Sequence, residues 1–166
     1  KGVLQGAYLA YDSQKVALVK QLIQDKPKYK SILIFSSTKK KVHEIKRALQ
    51  GEDYEVKSIS SDLGQDEREE VLNKFRAKKI RVLVATDVIS RGIDIKDINL
   101  VINFDVPDDA ADYVHRVGRT ARADTTGVAL TLVNEKDMHS FKQIENLMEQ
   151  EVMKLPLPSG FEPGPE

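Results

Sequence analysis

Short apolar runs alternate with segments of helical periodicity along nearly the whole chain. Six runs have the length and apolar character of strands: 3–11, 31–35, 54–59, 80–85, 100–104 and 127–133. Four other segments repeat apolar residues every three or four positions and predict helices: one that contains residues 16–23, and 39–49, 65–77 and 136–152. Strands that alternate with helices predict a mainly parallel sheet flanked by helices, which is the α/β class.

Each predicted helix has one apolar face. The face of the first helix consists of Val16, Val19, Leu22 and Ile23, and that of the last consists of Phe141, Ile144, Leu147 and Met148. We expect Asp12 or Ser13 to cap the first helix, because a short polar side chain there accepts hydrogen bonds from free backbone N–H groups. These faces are expected to pack on the sheet.

The alternating pattern covers residues 1–153 and predicts one domain, since 166 residues with 40% hydrophobic content suffice for one core. Prolines and glycines are frequent in residues 154–166 and predict a linker or a disordered end. Lys1 stands almost directly before the first strand, without an initiator methionine, and this indicates a piece of a longer protein.

Composition narrows the classes of partner. The chain has no cysteine, which excludes disulfides and thiolate metal sites and fits a reducing compartment, so we expect the cytoplasm. No apolar run approaches the ~18 residues of a membrane span, so we expect no membrane partner. Lys plus Arg and Asp plus Glu both total 26, and any nucleic-acid-binding surface must therefore be a local patch.

Three polar segments follow predicted strands, and in a parallel sheet the functional loops lie beyond the carboxyl ends of the strands. The first is Ser36-Ser37-Thr38, whose hydroxyls stand at the start of a helix. They predict either a phosphate contact or a simple helix cap.

The second segment runs from residue 85 to residue 94 and contains hydroxyl, carboxylate, arginine and glycine residues. Asp94 is suited to accept hydrogen bonds from a ribose, whereas Thr86 and the backbone near Gly92 are suited to approach a sugar-phosphate chain. The alternative is a capped turn in which Arg91 pairs with a nearby aspartate.

In the third segment arginines recur every three residues, at positions 116, 119 and 122. If the segment is helical, Arg116, Arg119 and Arg122 fall near one face, where like charges repel unless acids or an anion compensate them. The planar guanidinium group suits phosphate oxygens. The alternative is a solvated basic face.

Other chemistry finds no support in the motifs. The chain has neither G-x-x-x-x-G-K-[ST] nor G-x-G-x-x-G, and H-E-x-x-H and G-x-S-x-G are also missing. His43 and His139 have no second ligand at metal spacing, so no metal site is expected. Four carboxylates leave two interpretations open, a magnesium-binding acid pair or capping of the next helix, and we favour capping: Asp105, Asp108, Asp109 and Asp112.

Four motifs resemble, in order and spacing, those of the DEAD-box ATP-dependent RNA helicases. They are Leu33-Ile34-Phe35-Ser36-Ser37-Thr38, Gln65-Asp66-Glu67-Arg68, Ala85-Thr86-Asp87 with Arg91-Gly92-Ile93-Asp94, and His115-Arg116-Val117-Gly118-Arg119-Thr120-Ala121-Arg122. The resemblance is to the C-terminal RecA-like domain of the family and covers nearly the whole chain except the tail. It implies a RecA-like three-layer sandwich with a mainly parallel central sheet and helices on both faces.

The resemblance also implies a role for each matched residue. Asp94 contacts the ATP ribose, and Arg119 and Arg122 are the catalytic arginine fingers that reach its terminal phosphates. His115, Arg116 and Arg91 couple the nucleotide site to the partner domain. The residues that face RNA are Thr86, Arg68, Gln65, Ser36, Ser37, Thr38 and Gly92.

The family resemblance further implies that this chain works with an N-terminal RecA-like domain. That domain binds most of the ATP and Mg²⁺, and the two domains together clamp one RNA strand. We therefore expect a monomeric helicase in which this chain alone neither hydrolyses ATP nor unwinds duplexes. A related DNA helicase, or a catalytically silent module that binds RNA or docks a protein, are the alternatives.

Two positions depart from the family pattern. Many members carry His-Gly where this chain has Ser60-Ser61, and many carry Gly where it has Ala121. A side chain at Ser61 restricts close backbone approach to RNA, and alanine at 121 is disfavoured if that position needs a positive φ. We expect altered binding strength with function retained.

Overall fold

The computed structural model describes residues 3–87, 98–120 and 127–161. Within them, parallel strands form one seven-stranded sheet in the order β3-β4-β2-β5-β6-β1-β7. The strands are β1 (Val3–Leu9), β2 (Ile32–Ser36), β3 (Val56–Ile59), β4 (Val82–Thr86), β5 (Leu100–Asn103), β6 (Gly127–Val133) and β7 (Met153–Leu155). The predicted α/β class with a parallel sheet is confirmed.

Helices cover both faces of the sheet. They are α1 (Asp12–Gln24), α2 (Lys39–Leu49), α3 (Gln65–Arg76), α4 (Ala110–Val117) and α5 (Met138–Met148), and a 3₁₀ turn (Gly118–Thr120) follows α4. From β1 to β3, successive strands lie progressively closer to one edge of the sheet, and from β3 to β7 they lie progressively closer to the opposite edge. Because parallel crossovers are right-handed, α1 and α2 pack on one face, and α3, α4 and α5 pack on the other.

The first helix begins differently from the prediction. Asp12 is its first residue and Tyr11 is the N-cap, so the expected cap at Asp12 or Ser13 is wrong. The reason is Gln14, whose side-chain oxygen accepts a hydrogen bond from the Tyr11 backbone N–H at 2.9 Å. Gln14 therefore satisfies the backbone N–H of the N-cap residue itself, which is a different donor from those that a capping side chain would bind.

The apolar stripe of α5 is confirmed only in part. Phe141 and Ile144 are buried, but Leu147 is 74% exposed. The buried face of α5 consists of Phe141, Ile144 and Glu145, so Glu145 takes the buried position that the pattern assigned to Leu147. Glu145 is tolerated there because it accepts hydrogen bonds from the Val152 backbone N–H at 2.7 Å and from Lys154 Nζ at 2.8 Å.

Strand β7 is missing from the predicted set, because three residues are too few for a pattern of alternation. It pairs in parallel with β1, with Gly6 opposite Met153. Lys154 and Leu155, which the sequence placed in the tail, are thus part of the sheet. Leu157 and Phe161 then pack against the core on the α1 face. Over the described ranges, none of the helices combines the length and apolarity required to cross a membrane.

Candidate functional site

The carboxyl ends of three neighbouring strands bring predicted site residues together. In the pairing of β2 with β4, Ser36 lies directly opposite Thr86, and in the pairing of β2 with β5, Phe35 lies opposite Asn103. Thr86 is buried at the end of β4. Two segments far apart in sequence therefore meet at one edge of the sheet, as the parallel topology requires.

The loop after β2 is held by one carboxylate. Ser36 Oγ donates a hydrogen bond to Asp105 Oδ2 at 2.6 Å, and the Ser37 backbone N–H donates to the same oxygen at 3.0 Å. Ser37 Oγ donates to Asp105 Oδ1 at 3.0 Å. Ser36 is fully buried, so its side chain acts inside the fold, whereas Ser37 and Thr38 are exposed at the surface.

Thr38 caps the next helix. Its hydroxyl accepts a hydrogen bond from the Lys41 backbone N–H at 3.2 Å, and α2 begins at the following residue. The capping interpretation of this loop is thus confirmed for Thr38.

Arg116 lies at the centre of the same edge and is completely buried. Its Nε donates to Asp87 Oδ1 at 2.6 Å, and its Nη2 donates to Asp87 Oδ2 at 2.8 Å. Nη1 donates to the backbone oxygen of Asp105 at 2.9 Å. The guanidinium also lies 5.6 Å from the centre of the Phe35 ring. One arginine of α4 thereby joins the ends of β4 and β5.

Two neighbouring carboxylates, Asp87 and Asp105, stabilise the charged form of Arg116. Burial alone would lower the pKa of the guanidinium, but the hydrogen bonds and negative charges of Asp87 and Asp105 outweigh it, and the pKa lies above its ordinary value. Arg116 therefore belongs to a buried ionic network and cannot form part of a solvated basic face.

Arg119 lies elsewhere. Its backbone oxygen accepts a hydrogen bond from the N–H of Ile98 at 3.2 Å, just before the amino end of β5. The next residue, Thr120, is buried and donates its hydroxyl to the Ile98 oxygen, while its Oγ1 accepts from the Val128 N–H at 3.2 Å. The half-exposed Arg119 is thus fixed near the amino end of the sheet, and Arg116 reaches the carboxyl edge. His115 is exposed on α4.

The second group of predicted RNA-facing residues lies at the start of α3. Gln65 is the first residue of this helix and is exposed. Arg68 is half-buried, and its Nη2 donates to the Leu63 backbone oxygen at 3.4 Å. Ser61 is exposed in the loop that precedes the helix, and Ser60 is buried.

Asp62 connects that loop to the start of α2. It accepts a hydrogen bond from Lys39 Nζ at 2.8 Å and lies 3.2 Å from His43 Nε2. The hydrogen bonds with Lys39 and then His43 lower the pKa of Asp62. Because α2 also starts directly after the 36–38 loop, the two groups of predicted RNA-facing residues belong to neighbouring loops of the structure.

The acids after β5 divide into two roles. Asp109 is the N-cap of α4 and accepts from the Asp112 N–H at 2.9 Å, so the capping interpretation is confirmed for Asp109. Asp105 instead binds the two serines and Arg116. The residues that the structure describes contain no group of three or more His, Asp or Glu side chains placed to hold a metal ion.

Sequence reasoning did not identify the partners of Arg116. The sequence shows that Asp87 and Asp105 each follow the end of an apolar strand, and this position indicates that they lie among the functional loops. It did not specify which cation would pair with either acid. Four predicted site residues lie outside the described residues, namely Arg91, Gly92, Asp94 and Arg122, and so does Ala121, which departs from the family pattern.

The chain is similar to proteins of a known family. The model of the helicase conserved C-terminal domain matches residues 14–124. The chain belongs to this family. It is the C-terminal domain of a DEAD-box protein, and its fold is RecA-like.

Individual relatives agree. The ATP-dependent RNA helicase dbp8 of Emericella nidulans is 50% identical over 116 residues, which cover 70% of this chain and 22% of that protein. The crystal structure of a DEAD-box protein from Methanococcus jannaschii superimposes with a TM-score of 0.86 at 34% identity, over 93% of this chain and 42% of that one. Dbp5 of S. cerevisiae, solved with RNA and ADP BeF3, superimposes with a TM-score of 0.84 at 29% identity, over 94% and 42% of the two chains. The chain thus spans less than half the length of each of these relatives.

Proposed function

We propose that this DEAD-box domain is the C-terminal half of an ATP-dependent RNA helicase. In this proposal the carboxyl edge of the sheet binds one strand of RNA, and the segment that contains Arg119 contacts ATP held mainly by an N-terminal RecA-like domain. Closure of the two domains bends the bound strand and releases its complement.

The observation that carries the proposal is the separation of two predicted surfaces within one domain. Ser37, Thr38 and Thr86 lie at the carboxyl edge, whereas Arg119 is anchored near the amino end of β5. A domain arranged in this way is able to contact a nucleic acid and a nucleotide at the same time without competition between them.

On the RNA side, the proposal assigns contacts to the exposed residues of neighbouring loops. Ser37 and Thr38 follow β2, and Gln65 begins α3, where backbone N–H groups favour phosphate oxygens. Arg68 adds a positive charge beside Gln65. Gly92 is assigned by family resemblance, as is Arg91 as a coupling residue together with His115.

On the nucleotide side, Arg119 and Arg122 are proposed as arginine fingers and Asp94 as the ribose contact. A guanidinium group stabilises the negative charge that develops on the phosphates during transfer to water. Mg²⁺ bound with ATP neutralises part of that charge, and the proposal places its ligands on the N-terminal domain. Within this chain, the backbone oxygen of Arg119 is already bonded to the Ile98 N–H, so closure of the domains does not need to order the backbone at this position.

Two measurements test this function. The isolated chain is expected to show no ATP hydrolysis with or without single-stranded RNA, while the complete protein hydrolyses ATP faster when RNA is added. RNA-stimulated hydrolysis by the isolated chain would overturn the division of labour between the domains. Strand separation assays with matched RNA and DNA duplexes test the substrate, because RNA recognition uses the 2′-hydroxyl group. Equal unwinding of both would favour the related DNA helicase.

A further inference from the structure

We infer that Asp105 is a positioning residue that couples the 36–38 loop to Arg119. The inference rests on the proposed function, because it assigns the 36–38 loop to RNA and Arg119 to the nucleotide. It adds a residue that touches neither ligand and that determines how binding at one surface changes the other.

The first part of the link is the contact of Asp105 with the loop. An ionised carboxylate only accepts hydrogen bonds, so the hydroxyl hydrogens of Ser36 and Ser37 must point towards it. Together with the Ser37 backbone N–H, three donors of the loop are bound by one side chain. A shift of the loop when RNA binds would therefore pull on Asp105.

The second part is the contact of Asp105 with Arg116. Nη2 of Arg116 donates to Asp105 Oδ1 at 3.3 Å and to Ser37 Oγ at 3.4 Å, and Nη1 donates to the Asp105 backbone oxygen at 2.9 Å. Arg116 is fully buried, so loss of these acceptors would leave polar N–H groups without water to replace them. The two shorter bonds to Asp87 hold the other side of the guanidinium, so a shift of Asp105 is expected to tilt it about that contact.

The third part is the short distance along the chain from Arg116 to Arg119. Arg116 belongs to the last turn of α4, and the 3₁₀ turn that contains Arg119 begins two residues later, at Gly118. Beyond it, Thr120 is fixed by Ile98 and Val128. Arg119 thus lies between Arg116, which contacts Asp105, and Thr120, which is anchored to the sheet.

Coupling between two ligands is a free energy that the affinities report directly. The dissociation constant of a fluorescein-labelled single-stranded RNA is measured on the complete helicase by fluorescence anisotropy, with and without a nonhydrolysable ATP analogue. The ratio of the two constants is the coupling factor. Asp105→Asn keeps the size of the side chain and removes its charge, and we expect it to reduce the coupling factor by about fivefold or more.

Asp108→Asn is the matched control, because Asp108 is an exposed acid of the same loop that caps no helix. It is expected to retain the coupling factor of the unmodified helicase. If Asp105→Asn does not fold, as judged by circular dichroism, Ser36→Ala takes its place, since it removes one buried donor to Asp105 and leaves the carboxylate intact. A folded Asp105→Asn variant, or in its place Ser36→Ala, with an unchanged coupling factor would overturn the inference.

Failure of the proposed function gives a different result. In that case the unmodified helicase itself binds no RNA, or binds it equally well with and without the ATP analogue. An equal loss of RNA affinity in both conditions for Asp105→Asn leaves the coupling factor unchanged and assigns Asp105 to the structure of the loop alone, which overturns the coupling role and spares the proposed function.

Discussion

Arg116 and Asp87 form a two-bond ion pair at the carboxyl edge of the sheet, with Nε to Oδ1 at 2.6 Å and Nη2 to Oδ2 at 2.8 Å. The pair joins α4 to the end of β4. Since Arg116 has no exposed surface, the bonds to Asp87, together with those to Asp105, take the place of the water that would otherwise solvate the guanidinium.

Replacement of Arg116 should therefore cost stability. Arg116→Ala is expected to lower the free energy of unfolding by about 3 to 5 kcal/mol, because it leaves Asp87 and Asp105 close together without their cation. Arg116→Lys should cost less, but it cannot reproduce the two-bond contact with Asp87. Urea unfolding of this chain, followed by circular dichroism, measures both values.

The control for Arg116 is Arg47→Ala, which removes an exposed arginine from α2. Its effect should stay within about 0.5 kcal/mol. If Arg116→Ala unfolded at the same urea concentration as Arg47→Ala, the buried pair would have no role in stability.

Arg119 should affect catalysis. Arg119→Ala in the complete helicase is expected to lower kcat for RNA-stimulated ATP hydrolysis on the order of 10³-fold or more, because an arginine finger, the role proposed for Arg119, stabilises the charge that develops during phosphoryl transfer. Arg76→Ala, at the exposed end of α3, is the comparison and should retain activity. Unchanged turnover in Arg119→Ala would remove the finger assignment.

Gly127 should tolerate no side chain. A Cβ atom at this position would overlap the carbonyl and hydroxyl oxygens of Thr120, whose hydroxyl donates to the Ile98 backbone oxygen. Gly127→Ala is expected to lower the free energy of unfolding by about 1 to 3 kcal/mol through overpacking. Because Thr120 adjoins Arg119, the complete helicase should also lose ATPase activity.

Gly51→Ala provides the glycine control, since a Cβ there meets no atom within 4 Å. Its melting temperature should equal or exceed that of the unmodified chain. Equal melting temperatures for the Gly51 and Gly127 variants would contradict the tight contact with Thr120.

The Glu145 site should make stability depend on pH. Burial tends to raise the pKa of this carboxyl, but hydrogen bonds from Lys154 and the Val152 N–H outweigh it, and the pKa lies below its ordinary value of 4.5. A lowered pKa in the folded state adds stability above the unfolded pKa and loses it as the pH falls through the folded pKa. Glu145→Gln should cost about 1.5 to 3 kcal/mol at pH 7.

The cost of Glu145→Gln should shrink as the pH falls from 4.5 towards the lower pKa of the folded state, because the unfolded chain binds a proton at Glu145 before the folded chain does. Urea unfolding at a series of pH values measures it. Glu151→Gln changes an exposed acid and should cost less than about 0.5 kcal/mol at every pH. A cost for Glu145→Gln that stays constant down to pH 3 would refute this assignment.

Local patterns in the sequence were sufficient for the main elements. Strand β6 has the predicted bounds, and α2 and the start of α3 also agree, because alternation and helical spacing are properties of neighbouring residues. The family resemblance then assigned expected roles to the residues of four motifs. The three-residue strand β7 and the buried Glu145 depend on contacts with β1 and with Lys154, and no local pattern encodes them.

The sequence by itself determined an α/β fold with polar segments after its strands, because hydrophobic spacing decides which elements form and their order decides how the sheet is connected. It identified Arg116 and Arg119 as members of one basic series. Tertiary structure alone decided that Arg116 is buried against Asp87 and Asp105, while Arg119 is held beside Ile98. The physical reason is that the residue type alone gives an arginine its charge. Its burial and its partners depend on strands that meet only when the chain folds.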